Sequence, residues 1–240
     1  MTRGRDPSLP SRLRPRLRRG RLIYPLPGDV GAVLFDLDGL LIDSEPLWAR
    51  AEAALVEARG GRLTPDDRLA TIGRSVDASL AIYAERLGLP ADSVGDLHAE
   101  VLDSVRRLIA NEGQIRPGAA ELVDLLGGRL PLAVASNSDR VIVALALDRI
   151  GLAGRFDAVV SAEDVARSKP APDVYLEACR RLAVEPWSAI GFEDSPAGIE
   201  ALHAAGSIAV GVRADGPLPL DAADLVVDSL EDVVGWVDAR

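Results

Sequence analysis

The chain is poor in several residue types that define other classes of protein. Its single cysteine, Cys179, cannot form a disulfide within the chain, and its helical surroundings predict a small buried apolar residue rather than a reactive thiol. Its two histidines, His98 and His203, do not accompany clusters of acids in the sequence. No apolar run approaches the roughly 18 residues that a membrane helix needs, so we expect a cytoplasmic protein with no membrane partner.

Lysine is also scarce, and the one that is present stands out. Of the 27 basic residues, Lys169 alone is a lysine and the others are arginines. An ammonium group is a compact point charge that a planar guanidinium cannot replace in a tight site. Lys169 is therefore a candidate site residue on chemical grounds.

Charge is distributed unevenly along the chain, whose net charge is -10. Residues 1–22 contain eight arginines and one aspartate, so this segment carries +7 and the remainder carries -17. We predict a disordered basic tail over residues 1–28. A tail of this kind could bind the phosphates of nucleic acid, but no aromatic residue precedes Tyr24 to stack on a base, so we expect no nucleic-acid partner.

An apolar run that ends in two acids is the most informative motif. The run Ala32–Phe35 is followed by Asp36, Asp38 and Gly39, which is typical of a buried strand that ends in a turn. Neighbouring carboxylates repel each other, so they usually share a divalent cation or divide into one ionised and one protonated group. One alternative is a turn capped by aspartates; a calcium loop is a second, but it needs a spacing of acids that this segment lacks.

Helical and strand patterns divide the chain into two parts. Residues 44–114 show helical periodicity, whereas short apolar strands alternate with helices after residue 115. Such alternation predicts a mostly parallel sheet with helices on both faces. We therefore predict an α/β protein with a Rossmann-like parallel sheet core, formed by residues 29–43 and 115–240, and an inserted all-helical cap domain, residues 44–114.

Polar residues follow several of the predicted strands. Besides Asp36 and Asp38, the sets are Ser136-Asn137-Ser138, Ser168-Lys169-Pro170 and Glu193-Asp194-Ser195. The carboxyl ends of parallel strands lie at one edge of a sheet, so we expect these sets to meet there. Carboxylates suit Mg²⁺ shared with a substrate phosphate, while Ser136 at a helix N-terminus and Lys169 would hold phosphate oxygens.

These four sets, in this order, resemble the motifs of the haloacid dehalogenase superfamily of phosphohydrolases over about residues 31–230. Within it, the chain is most similar to the beta-phosphoglucomutases and to sugar phosphatases such as the 2-deoxyglucose-6-phosphate phosphatases. The matching segments are Asp36-Leu37-Asp38-Gly39, Ala135-Ser136-Asn137-Ser138, Ser168-Lys169-Pro170 and Gly191-Phe192-Glu193-Asp194-Ser195.

The resemblance implies a role for each motif. Asp36 would attack phosphorus and form an aspartyl-phosphate, while Asp38 would protonate the leaving oxygen and then activate water. The implied Mg²⁺ ligands are Asp36, the main-chain carbonyl of Asp38 and Asp194, with Glu193 in support. Phosphate would be bound by Ser136, Asn137 and Lys169.

The resemblance also implies that the cap closes over the substrate. Its hinges would lie near residues 43–45 and 114–117, and its specificity loop would be Ile72-Gly73-Arg74-Ser75. Arg74 would bind substrate oxygens, with a plain surface arginine as the alternative. Trp48 would form a wall of the substrate site, with a core aromatic residue of the first cap helix as the alternative.

Departures from the mutase pattern favour hydrolysis. A mutase carries a His, a Lys and an Arg where this chain has Trp48, Ile72 and Val76, and apolar side chains cannot orient a second phosphorylated intermediate. We therefore expect a Mg²⁺-dependent phosphatase that acts, as a monomer, on a small phosphorylated sugar or sugar alcohol. A mutase that returns the phosphoryl group is the alternative.

Overall fold

The computed structural model describes residues 16–18, 21–23, 30–71, 76–213 and 219–237. Within these ranges the chain forms eight strands and nine α-helices. The strands are β1 Arg16–Arg18, β2 Arg21–Ile23, β3 Ala32–Phe35, β4 Leu132–Ala135, β5 Ala158–Val160, β6 Ala189–Glu193, β7 Ile208–Val212 and β8 Leu225–Val227. The helices are α1 Glu45–Glu57, α2 Pro65–Thr71, α3 Val76–Arg86, α4 Val94–Glu112, α5 Ala119–Leu126, α6 Arg140–Arg149, α7 Asp173–Leu182, α8 Pro196–Ala205 and α9 Leu230–Val237.

Strands β3 to β8 form one parallel sheet of six strands in the order β5-β4-β3-β6-β7-β8. Phe35 of β3 is in register with Val134 of β4 on one side and with Phe192 of β6 on the other. From β3 the chain adds β4 and β5 on one side of the sheet and then β6, β7 and β8 on the other. Open α/β sheets bind ligands in the crevice at such a reversal of strand order. The predicted α/β class with a Rossmann-like parallel sheet is confirmed.

Each face of the sheet packs against helices, as continuous apolar strands require. Leu34 of β3 faces the cluster that contains α7 and α8, whereas Val33 and Phe35 face the cluster that contains α5, α6 and α9. The Phe35 ring stacks on that of Phe192 with centroids 5.5 Å apart. The central strand is therefore rigidly held immediately before its first acid.

The segment inserted between β3 and β4 is helical, as expected. Its longest helix, α4, buries a stripe of residues spaced by four, and this stripe packs against α1 and α6. The stripe consists of Leu97, Val101, Val105 and Ile109. Because α6 belongs to the helices that cover one face of the sheet, α4 links the cap to the core.

The two linkers of the cap lie side by side. The Asp43 N–H donates to the Gln114 carbonyl at 2.9 Å, and the Arg116 N–H donates to the Leu41 carbonyl at 2.9 Å. A short antiparallel ribbon therefore joins cap and core. That this ribbon acts as a hinge stays a prediction.

The predicted basic tail falls mostly outside the described residues. Two of its segments, β1 and β2, pair antiparallel, with Leu17 opposite Leu22. The disorder expected for residues 1–28 as a whole stays a prediction. Among the described helices, none combines the length and apolar content needed to cross a membrane.

Candidate active site

Asp36 lies directly after β3 and is almost fully buried. Its N–H donates to the Phe192 carbonyl at 3.0 Å, and its carboxylate accepts a hydrogen bond from Lys169 Nζ at 2.5 Å. Burial raises the pKa of Asp36 to about 8; the negative charges of Glu193 and Asp38 act in the same direction, and Lys169 opposes them. Asp36 therefore needs additional positive charge nearby to be ionised at neutral pH.

Asp38 points into a group of hydroxyls. Its two carboxylate oxygens accept hydrogen bonds from Ser44 at 2.8 Å, Ser136 at 3.2 Å and Ser138 at 2.7 Å. Ser44 lies in the first cap linker and is buried, so the structure connects Asp38 both to the β4 loop and to the base of the cap. The Asp38 carboxylate is near enough for its charge to raise the pKa of Asp36, and a general acid and base would be required near this group.

Lys169 lies between two carboxylates. Its Nζ donates to Asp36 at 2.5 Å and to Glu193 at 2.6 Å, and only 4% of its side chain is exposed. The two carboxylates raise the pKa of Lys169 in spite of its burial, so the ammonium stays charged. A fixed positive charge is thus placed against the nucleophile candidate, which fits the phosphate-binding role predicted for this lysine.

The side chain of Asn137 hydrogen-bonds to the main chain of Lys169. Its Oδ1 accepts from the Lys169 N–H at 2.9 Å, and its Nδ2 donates to the Lys169 carbonyl at 3.3 Å. The amide therefore fixes the main chain that carries the lysine. The predicted phosphate contact of Asn137 stays a prediction.

Ser136 does not lie at a helix N-terminus, so that expectation is wrong. Helix α6 begins at Arg140, and Asp139 caps it by accepting from the Ile142 N–H at 2.9 Å. Aspartate was the better cap in this stretch because its carboxylate reaches the free N–H groups and interacts favourably with the helix dipole. Ser136 instead lies in the loop, where its Oγ accepts from the Ser138 N–H at 2.9 Å.

Glu193 is completely buried, and both of its oxygens are used as acceptors. One oxygen accepts from Lys169 Nζ and from the Tyr175 hydroxyl, each at 2.6 Å. The other accepts from the N–H and the hydroxyl of Ser195 at 3.2 and 3.0 Å. Four donors stabilise this buried charge, as such a group requires.

Asp194 completes an acidic cluster with Asp36 and Glu193. One carboxylate oxygen from each of these three residues lies within 4.8 Å of the others. Burial and its acidic neighbours raise the pKa of Asp194 well above its usual range, and no donor among the described residues hydrogen-bonds to its carboxylate. Three carboxylates around one ammonium leave an excess of negative charge, which fits a hard divalent cation with oxygen ligands.

Two glycines make room for these acids. A Cβ on Gly39, whose φ is +83°, would overlap the Asp194 carboxylate. A Cβ on Gly198, in the first turn of α8, would overlap the Glu193 carboxylate. Side chains at these two positions are therefore incompatible with the observed site.

The two cap residues predicted for substrate binding have different outcomes. Trp48 is half-buried and packs against the main apolar cluster, which agrees with the alternative of a core aromatic residue. Arg74 and the rest of its loop lie outside the described residues. Their contacts with substrate stay predictions.

Three site residues were not singled out from the sequence. Ser44 and Ser138 bond to Asp38, and Tyr175 bonds to Glu193. Ser138 lies within a predicted motif, so its position was a usable signal. In the sequence, Tyr175 fits the helical spacing of the apolar residues of α7. This spacing predicts that the residue is buried but does not predict a hydrogen bond of its hydroxyl.

The comparisons with known proteins agree with this geometry. The family model of the haloacid dehalogenase-like hydrolases matches residues 30–206. Hexitol phosphatase B of Escherichia coli (strain K12) is 34% identical over 181 residues, which cover 75% of this chain and 82% of that protein. Validoxylamine A 7'-phosphate phosphatase of Streptomyces hygroscopicus subsp. limoneus is 35% identical over 202 residues, 83% of this chain and 94% of that protein.

The fold is also similar to that of solved structures. The crystal structure of beta-phosphoglucomutase from Clostridium difficile has a TM-score of 0.70 and 26% identity, and covers 88% of this chain and 98% of that chain. The parallel sheet, the helical insertion and the acids at the strand ends define a capped hydrolase. The chain belongs to the haloacid dehalogenase-like hydrolases, and the family together with the phosphatases among its relatives supports its classification as a phosphoric monoester hydrolase.

Gly198→Ala tests the packing of the acidic cluster. We expect it to lower kcat by at least about a hundredfold, because the added methyl group must displace the Glu193 carboxylate that holds Lys169. Steady-state kinetics and thermal melting measure the effect. Gly95→Ala is the matched control, since a Cβ there meets open space in helix α4 and should stabilise the fold slightly; equal activities of the two variants would contradict the prediction.

Proposed function

We propose that this protein is a Mg²⁺-dependent phosphatase that hydrolyses a phosphorylated sugar or sugar alcohol through an aspartyl-phosphate on Asp36. The observation that carries the proposal is the arrangement of Asp36 at the end of the central strand. Lys169 donates to Asp36 at 2.5 Å. Asp38 follows two residues later in the sequence, and its carboxylate accepts hydrogen bonds from three hydroxyls. A nucleophile, a fixed cation and an acid-base group are thus adjacent.

The two half-reactions use these groups in turn. A carboxylate oxygen of Asp36 bonds to phosphorus, the ester P–O bond breaks, and protonated Asp38 gives its proton to the leaving alcohol. Ionised Asp38 then takes a proton from water as the water oxygen bonds to phosphorus, and the acyl-phosphate bond breaks. Inorganic phosphate leaves, and both aspartates return to their starting states.

The cation is proposed from the donor set. Asp36, Asp194 and the main-chain carbonyl of Asp38 would be the ligands of Mg²⁺. Glu193 would support the site without being a main ligand, because its oxygens already accept four hydrogen bonds. When bound, Mg²⁺ offsets the negative charge of the carboxylates and of the substrate phosphate. Lys169 supplies a further positive charge beside Asp36.

Without Mg²⁺, the protein should lose stability as pH rises from about 5.5 to about 8. The pKa of Asp36 is about 8 in the folded chain and about 3.9 in an unfolded one. Between these values the folded state holds a proton that the unfolded state has lost, so raising the pH favours unfolding. Mg²⁺ binds the ionised carboxylates, so it should raise the Tm more at pH 8 than at pH 5.5.

Asp36→Asn is the control for this pH dependence. The asparagine cannot ionise, so the fall in Tm between these pH values should be smaller in the variant. Carboxylates with lowered pKa, such as Asp164 at about 2, lose their stabilising charge only at more acidic pH. A metal-free wild-type protein whose Tm rises across this window would contradict the assignment.

The substrate class is supported by the relatives and by the site. The names of the two phosphatases above refer to a hexitol and to validoxylamine A, so hydroxyl-rich phosphate esters are the class to test first. The cap is joined to the core beside Asp38, where it would cover the leaving group. The partner of the protein is accordingly a small-molecule phosphate ester.

A mutase is the second candidate, favoured by the structural similarity to beta-phosphoglucomutase. In a mutase the phosphoryl group on Asp36 returns to a sugar rather than passing to water. Trp48 packs in the apolar cluster, and Val76 is apolar as well. Val76 has no hydrogen-bonding group, and Trp48 offers a single indole N–H in place of the charged side chain of a mutase, which supports hydrolysis.

The test is phosphate release from a panel of hexitol, hexose, pentose, glycolate and nucleotide monophosphates, with Mg²⁺ and with chelator. Mg²⁺-dependent release from sugar or sugar-alcohol phosphates is the expected result. No release, together with conversion of glucose 1-phosphate when glucose 1,6-bisphosphate is added, would overturn the phosphatase in favour of the mutase. Release only from nucleotide or glycolate phosphates would overturn the substrate class.

A further inference from the structure

Tyr175 lies beneath the active site, on the inner face of helix α7. It is fully buried, its hydroxyl donates to Glu193 at 2.6 Å, and its ring centroid is 4.8 Å from Lys169 Nζ. We propose that Tyr175 is a positioning residue that holds Glu193 and Lys169 in the geometry needed to bind the transferring phosphoryl group. This inference rests on the proposed function through the phosphate-binding role of Lys169.

The geometry assigns Tyr175 to one oxygen of Glu193. That oxygen accepts from both Tyr175 and Lys169, while the other accepts from the N–H and the hydroxyl of Ser195. Donors on both sides fix the plane of the carboxylate. Because Lys169 Nζ donates to the oxygen shared with Tyr175, the hydroxyl determines where the ammonium is held.

The ring provides a second contact. A lysine ammonium within about 6 Å of an aromatic centroid is attracted to the ring face. The side chain of Lys169 is thus bounded by Asp36, Glu193 and the ring of Tyr175, and almost none of it reaches solvent. A confined ammonium is already ordered before substrate arrives, which is how fixed charges stabilise a transition state most effectively.

A purely structural tyrosine would give a different result. In that case, loss of the hydroxyl would lower the Tm and leave the position of Lys169 and the kinetics of the folded enzyme unchanged. The Tyr175→Phe variant keeps the ring and removes only the hydroxyl. It isolates the hydrogen bond to Glu193 from the packing of helix α7.

The kinetic test is a double-mutant cycle of Tyr175→Phe and Glu193→Gln. We expect Tyr175→Phe alone to lower kcat by about tenfold, the loss typical of a hydrogen bond to a charged group. In the Glu193→Gln background it should change kcat by less than about twofold, because the tyrosine acts through the glutamate. Equal losses in both backgrounds would overturn the proposal.

Ser207→Ala is the matched control for removing a buried hydroxyl. Ser207 donates to the Pro186 carbonyl at 2.9 Å, next to the opposite end of the sheet from the acids. We expect this variant to lose some thermal stability but to retain the wild-type kcat. A loss of kcat as large as that of Tyr175→Phe would attribute the tyrosine effect to stability alone.

A crystal structure of Tyr175→Phe separates this inference from the proposed function. We expect Glu193 to turn and Lys169 Nζ to move out of hydrogen-bond distance from Glu193 or Asp36. Unchanged positions of both side chains would overturn the positioning role, whatever the substrate is. If wild-type enzyme released phosphate from no substrate but the lysine moved in the variant, the proposed function would fail while the positioning role would stand.

Discussion

Asp36→Asn should abolish phosphate release, with kcat at least about a thousandfold below that of the wild-type enzyme. The asparagine amide has nearly the same volume as the carboxylate, so the fold should be retained. It cannot act as the proposed nucleophile, and it removes the charge that pairs with Lys169 at 2.5 Å. Steady-state phosphate release and circular dichroism measure the two parts of this prediction.

The same substitution elsewhere provides the control. Asp157→Asn changes an exposed aspartate before β5, whose side chain accepts from the Leu132 N–H at the opposite end of the sheet. We expect its kcat to match the wild-type value. Hydrolysis at wild-type rate by Asp36→Asn would contradict the assignment of the nucleophile.

Lys169→Arg should have the second largest effect, a fall in kcat/KM of about a hundredfold or more. The ammonium fits between Asp36, Glu193 and the ring of Tyr175 in a space that is closed to solvent. A guanidinium is larger and planar, so it cannot donate to both carboxylates from the same point. Charge is conserved in this variant, which isolates the effect of geometry.

Arg167→Lys is the matched control for this exchange. Arg167 lies two residues before Lys169, and its exposed side chain pairs with Asp173 at 2.7 Å on the surface. An exposed ion pair of this kind contributes about 0 to 1 kcal/mol, so we expect no change in kcat/KM. Wild-type kinetics for Lys169→Arg would mean that the single lysine of the chain has no special role.

The arrangement of strands and helices could be predicted because its determinants are local. Uninterrupted apolar strands and amphipathic helices alternate after residue 115, and this pattern leads to a parallel sheet covered on both faces. The position of Asp36 follows from the same rule, since it is the first polar residue after the central strand. Glu193 ends β6 and Asp194 follows it, and β6 is the parallel neighbour of β3, which places both sets at one edge.

The contacts within the site could not be predicted because they join distant parts of the chain. Ser136 was expected at a helix N-terminus, yet three residues separate it from Arg140, where α6 begins. The bond between Tyr175 and Glu193 depends on how α7 is rotated against the sheet, which apolar periodicity does not determine. Asn137 likewise meets the main chain of Lys169 only after β4 and the following loops have packed.

The central claim is that the phosphoryl group passes through Asp36, and rapid acid quenching tests it most directly. The enzyme would be mixed with Mg²⁺ and the best sugar phosphate of the panel, labelled on phosphorus, then quenched and digested. The account predicts label on the peptide that contains Asp36, formed at least as fast as phosphate is released and absent from Asp36→Asn. Phosphate release by the wild-type enzyme with no label on this peptide at any time during turnover would contradict it.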